Sequence, residues 1–120
     1  MEANSGAAVR EVLARIGDKW SVVVICRLDP EPMRFNALRR AAEGITPRVL
    51  SATLQRLERD GLVSRTVHPT VPPQVEYALT ASGRSLHTVL AQLVTWTEDN
   101  LSHIQSSRAG YDAARPHEVA

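Results

Sequence analysis

Between Thr46-Pro47 and Gly61 the chain spells out the start, the inward face and the stop of a single helix. Thr46 can accept a hydrogen bond from a free amide of the first turn, and Pro47 suits the first helical position, where a missing N–H costs nothing. Leu50, Leu54 and Leu57 then recur at helical spacing, with Val49 and Thr53 at the edge of the stripe. Gly61 supplies the stop. The pattern predicts a helix from Pro47 to about Asp60 with its leucines inward. What it leaves outward is polar: Arg48, Ala52, Gln55 and Arg59, flanked by Ser51 and Arg56.

The segments on either side narrow the architecture. A helix from about Phe35 to Ala42 puts Phe35, Leu38 and Ala42 inward and Arg39 and Arg40 outward, and Gly44 ends it. On the other side, Leu62 to Val67 and Val75 to Leu79 alternate in part around the tip Pro69-Thr-Val-Pro72-Pro73. Helix, turn, helix and hairpin is the order of a winged helix-turn-helix, in which the second helix is shaped to enter the major groove of duplex DNA.

Upstream, Val9, Val12, Leu13 and Ile16 mark a first helix from Ala7 to Ile16, closed by Gly17. Asp18 suits the N-cap of a second helix, Trp20 to Leu28. Its Val22-Val-Val-Ile25 run has strand propensity that periodicity alone does not overrule; we read it as helix. Asp29-Pro-Glu-Pro32 then breaks the ladder. Downstream, Thr80 caps one long helix to about Gln105, on which Leu86, Val89, Leu90, Leu93, Thr97, Leu101 and Ile104 keep to one stripe with Trp96 beside it. The stripe exceeds what a small domain needs to cover its own core, so its surplus is expected to meet a second subunit. Ser106 to Ala120 shows no periodicity. The expectation is a mainly α fold with a small β-hairpin: one winged-helix and dimerisation domain over 1–106, then a disordered tail over 107–120.

With 120 residues, 43% of them apolar, the chain has room for one domain with a modest core. No apolar run approaches the roughly 18 residues of a membrane span, and the first residues lack the basic and apolar regions of a signal peptide, so a cytoplasmic protein is expected. The net charge of +1 conceals a division. Residues 34–65 hold seven arginines against Glu43, Glu58 and Asp60, and the remainder is net acidic. A basic block in an acidic chain is the footprint of a polyanion-binding surface, because phosphate neutralisation supplies most non-specific affinity.

The outward face of the Pro47 helix has the chemistry to read bases. Arginine donates a fork of bonds to guanine, glutamine pairs bidentately with adenine, and small Ser51 and Ala52 permit close approach. Arg34, Arg39 and the helix start at Thr46 and Pro47 join the expected DNA-binding set. Arg65 and His68 are the wing residues best able to reach phosphate, with the wing lying on the backbone or in the minor groove. Four scattered histidines, with no His-x-x-x-His pair, no Gly-rich phosphate loop and no nucleophile–base pattern, give no ground to expect an enzyme, a cofactor or a metal site. A winged helix used for protein–protein contact is the rival reading; an arginine-rich face with few aromatic residues fits it poorly.

Ile16-Gly17-Asp18-Lys19-Trp20, Arg34-Phe35-Asn36-Ala37-Leu38, Gly44-Ile45-Thr46-Pro47-Arg48-Val49-Leu50, Asp60-Gly61-Leu62-Val63 and Val71-Pro72-Pro73-x-Val75-Glu76-Tyr77 occur in that order. In these motifs, over about residues 8–100, the chain resembles the HxlR-type transcriptional regulators, relatives of the MarR winged-helix group. The resemblance implies a homodimer on a pseudo-palindromic operator, with Thr46 to Arg59 as recognition helix and Arg65 to Gln74 as wing. It also implies a dimer interface from the N- and C-terminal helices, bringing Val9 and Leu13 to the stripe already described. Many members carry a Cys-Pro pair before the first helix, used by some to sense oxidants; Ala7-Ala8 stands there in this chain. The single cysteine, Cys26, lies in an apolar run and reads as an inert buried thiol, although Lys19 and Arg27 nearby leave a lowered pKa open. Trp20, Met33, Phe35 and Trp96 admit two readings, core packing or the lining of a pocket for a small-molecule effector.

Overall fold

A computed structural model of the chain describes residues 5–115. In chain order the elements are α1 (Ser5–Ile16), α2 (Lys19–Arg27), β1 (Met33–Arg34), α3 (Phe35–Ala41), α4 (Pro47–Arg59), β2 (Val63–His68), β3 (Gln74–Leu79) and α5 (Ala81–Ala114). Contacts divide the chain into two compact units, one up to Thr88 and one from Val89 onward.

The first unit is a mainly helical winged helix-turn-helix. Its core is Val24, Ile25 and Leu28 around α2, Leu38 and Ala42 around α3, Ile45 in the turn, Leu50, Leu54 and Leu57 of α4, and Val63 and Leu79 of the sheet, all buried. The valine-rich run that propensity left ambiguous is helix, because Asp18 fixes its start. The Asp18 carboxylate accepts from the Ser21 amide at 3.1 Å and from the Ser21 hydroxyl at 3.0 Å. One of its oxygens also lies 3.5 Å from the Arg56 guanidinium of α4. A cap that is also an inter-helix tie should matter to stability. Asp18→Ala is expected to lower unfolding free energy by about 1–2 kcal/mol, and Asp18→Asn by less, since the amide oxygen can still cap; urea titrations of the three proteins check the order.

Helix α4 ends in a Schellman motif. Gly61 holds a left-handed φ of +76°, its amide donates to the Glu58 carbonyl at 3.0 Å, and the Leu62 amide reaches back to Leu57 at 2.9 Å. Gly44, with φ +93°, reverses the chain between α3 and α4 in the same region of backbone space. Thr80 ties three elements together. Its hydroxyl donates to the Gly61 carbonyl at 2.6 Å and accepts from the Gly83 amide at 3.1 Å, capping α5.

The sheet has one strand more than the hairpin the sequence predicts. Strands run in the order β1-β3-β2, all antiparallel, with Met33 opposite Tyr77 and Arg34 opposite Glu76 on one side of β3, and Arg65 opposite Tyr77 on the other. Two residues carry no alternation to detect, and their partner strand lies far along the chain.

The second unit is the remainder of α5. Val89, Leu93, Trp96 and Leu101 are exposed on it, Val89 at 57% and Trp96 at 56%. Two expectations need correction. Leu90, placed with the intersubunit stripe, is 2% exposed within the single chain and offers no free surface. The helix also continues past Gln105 to Ala114 instead of giving way to a tail at 107. No proline interrupts it before Pro116, and at helical spacing the Arg115 guanidinium donates to the Tyr111 hydroxyl at 3.2 Å and lies 5.1 Å from its ring centre. The rest of the expected tail, 116–120, lies outside the described residues.

Candidate nucleic-acid interface

Helix α4 is the centre of the site because its two faces are chemically separate. Thr46 accepts from the Val49 amide at 3.2 Å and Pro47 occupies the first turn, so the helix begins where the cap and the proline place it. Leu50, Leu54 and Leu57 are buried against the core, and Thr53 beside them satisfies itself by donating to the Val49 carbonyl at 2.8 Å. Arg48, Ala52, Gln55 and Arg59 are exposed along the opposite face, and Ser51 is half-buried at its margin.

Charge on this surface is largely uncompensated. Among the described residues no ion pair engages Arg48, Arg59, Arg34, Arg39, Arg40 or Arg65. Of the three acids in the basic block, Asp60 is neutralised from outside it by Arg15 of α1, at 2.7 Å. Arg56 departs from its expected place. It is half-buried, its guanidinium 3.5 Å from Asp18 and 3.4 Å from the Thr53 hydroxyl, so it braces α4 against α2 rather than projecting with the reading residues. Its partner sits in another element, which the helical wheel of α4 cannot reveal.

The wing is the β2–β3 hairpin. At its tip the Thr70 hydroxyl donates to the Pro72 carbonyl at 2.8 Å, and its amide to the His68 carbonyl at 2.8 Å, which orders the proline-rich turn and leaves Val71 fully exposed. His68 lies on β2 with its Nε2 3.4 Å from a Glu76 carboxylate oxygen, so part of its capacity is spent within the wing. Arg65 is exposed and faces an open hollow of about 370 Å³ between the wing and α4. Ser51, Gln55 and Glu58 line its helix side and Tyr77 its strand side. Glu58 and Tyr77 went unrecognised as neighbours of the site; the pairing of Arg65 with Tyr77 depends on strand register, which residue pattern alone left open.

Cys26 is half-buried, and that burial pushes its thiol pKa up, with Asp29 adding to the shift and Arg27 opposing it. A raised pKa keeps the group protonated at neutral pH and poorly nucleophilic. Alkylation of the native protein by iodoacetamide is therefore expected to be slow at pH 7 and to accelerate only above the ordinary thiol range; the rate–pH profile checks the sign. Ala7 and Ala8, at the positions of the sensing Cys-Pro pair, lie within α1. Trp20 is half-buried with the Lys19 ammonium 4.7 Å from its ring centre. Among the described residues no cluster of His, Cys, Asp and Glu is arranged to hold a metal ion, and no helix is long and apolar enough to cross a membrane.

The family model for the HxlR-like helix-turn-helix matches residues 15–105. The chain belongs to that family. An HTH-type transcriptional regulator of Methanothermobacter thermautotrophicus is 40% identical over 100 residues, covering 83% of this chain and 76% of its own. Among solved structures, the transcriptional regulator ytfH from Salmonella typhimurium superposes with a TM-score of 0.76 at 38% identity, over 84% of this chain and 90% of that one. The redox regulator HypR in its reduced form also reaches 0.76, at 39% identity, over 82% and 98%. This HxlR-like chain is thus a transcriptional regulator of the helix-turn-helix type, in a family whose relatives are regulators rather than enzymes. The family match ends at residue 105, so the last turns of α5 are additional to it.

Proposed function

We propose that this regulator binds a pseudo-palindromic operator as a homodimer, with α4 in the major groove and the β2–β3 wing on the backbone or in the minor groove. The observation that carries the reading is the outward face of α4, where Arg48, Ala52, Gln55 and Arg59 stand exposed and no ion pair among the described residues engages either arginine. Free guanidinium and amide groups on a helix pinned by its leucines are donors without acceptors, which base edges and phosphates supply. Arg34, Arg39 and Arg65 add phosphate contacts.

Exposed apolar side chains support the dimer. Val9 and Leu13 of α1 are more than half exposed, as are Leu93 and Trp96 of α5, a large apolar area for a chain this size to leave in water. Leu86, Thr97 and Ile104 would complete the interface from the same helix. A two-fold axis would then set two copies of α4 about 34 Å apart, in successive major grooves. Fluorescence anisotropy with a duplex from the region upstream of the protein's own gene, over a salt series, tests the reading. Affinity should fall linearly in log–log form with salt, as counterion release requires; no salt-sensitive affinity for any duplex would refute it.

A further inference from the structure

The wing changes chemistry along its length. Near α4 it carries Arg65, exposed and opposite Tyr77 in the neighbouring strand. Further out the cross-strand pair is Val67 with Val75, Val67 half exposed, and beyond His68 no ionisable side chain occurs until Glu76. Side chains two apart on a strand share a face, so on one surface of the hairpin arginine gives way to valine. The turn itself offers few donors to a phosphate. Pro69, Pro72 and Pro73 lack an N–H, and Thr70 spends its amide on the His68 carbonyl and its hydroxyl on the Pro72 carbonyl, each at 2.8 Å. Those bonds fix the turn with Val71 fully exposed at its end. An ordered tip that sheds charge and donors while presenting branched methyls suits an apolar surface, not a sugar-phosphate chain.

We propose that Val71 and Pro72 form an apolar wedge that enters the minor groove beside the α4 contact and bends the operator. The wedge rests on the operator reading above and adds a function to it. Arg65, across a hollow from α4, meets the phosphate ridge between the two grooves. From Arg65 to His68 the strand extends about 10 Å, and the minor groove is about 6 Å wide, so the turn beyond His68 reaches into that groove. The apolar surface available there is the stacked faces of the base steps. Minor-groove proteins part them with apolar side chains, proline included, and kink the duplex. The steps that yield most easily are pyrimidine–purine, TA and CA/TG. Each wing thereby selects sequence at a position where no hydrogen bond reads a base.

The test is resonance energy transfer between dyes on the two ends of the operator duplex, bound to the full-length protein. The parent should bend the duplex by about 20° or more at each wing. Val71→Ser should lose most of that bend and Val71→Leu should keep it; because Val71 is fully exposed, neither change threatens the fold. Replacing the TA or CA/TG step under the tip by a stiff A-tract should weaken binding of the parent more than binding of Val71→Ser. A parent complex that leaves the duplex straight overturns the wedge. A bend that Val71→Ser retains overturns it too, and turns the apolar tip toward a protein partner instead. Fluorescence anisotropy on the same duplex keeps the two readings apart: a parent that binds without bending loses only the wedge, whereas one that binds no duplex loses the operator reading with it.

Discussion

An Arg48→Ala, Gln55→Ala double variant is expected to bind its operator at least about 100-fold more weakly than the parent while losing far less affinity for random duplex. Each side chain stands exposed on α4 and can make one bidentate base contact, worth about 1–3 kcal/mol of discrimination. Removing both side chains from each of the two half-sites costs roughly 4 kcal/mol or more, and each 1.4 kcal/mol is a factor of ten. Random sequence offers no matched base, so there the variant gives up only the general attraction of one guanidinium for phosphate. Arg65→Ala on the wing should show the opposite profile, weakening operator and random duplex alike and lowering the salt slope by about one. Competition binding against both duplexes reads all three proteins. Equal losses on both duplexes in the α4 variant would remove base reading from that face.

Gly83→Ala is expected to destabilise the fold by about 3 kcal/mol, the upper part of the range for overpacking a closed site. A methyl group built on Gly83 overlaps the backbone carbonyl of Leu62. Neither side can yield cheaply. The Gly83 amide is the one that Thr80 caps, and Leu62 is held by its own amide to Leu57 and by its carbonyl to Thr80. The same substitution at Gly110 has nothing within 4 Å of the new methyl, and Ala in an open helical position gains up to about 1 kcal/mol over Gly. Thermal unfolding of the two variants at one protein concentration should shift in opposite directions, with the Gly83→Ala midpoint falling by roughly 10 °C or more. A Gly83→Ala protein as stable as the parent would mean that α5 does not start against Leu62 as described.

Most of the architecture was legible because its signals are local. Thr46 with Pro47, the leucine spacing of α4, Gly61 and Thr80 each act on residues within one or two turns, and each performs the role its type suggests. Most of what escaped depends on partners distant in sequence. Strand β1 exists only because β3 pairs with it, and Met33-Arg34 alone cannot announce that. Arg56 sat on the flank of a helical wheel that contains no Asp18. The last turns of α5 persist through side-chain contacts such as Arg115 with Tyr111 and the absence of an early proline, where composition alone suggested a tail. In the site, the exposed row on α4 followed from the leucines that define its opposite side, whereas Glu58 and Tyr77 appear only once strand register and tertiary packing are known.

If two copies of α4 read adjacent major grooves, methylation interference on the upstream duplex will reveal both. Dimethyl sulfate marks guanine N7 in the major groove and adenine N3 in the minor groove. Two clusters of N7 interference are expected, centred about one helical turn apart, with N3 interference confined to positions a wing can reach. A single cluster, or interference at N3 alone, would contradict the reading of two grooves.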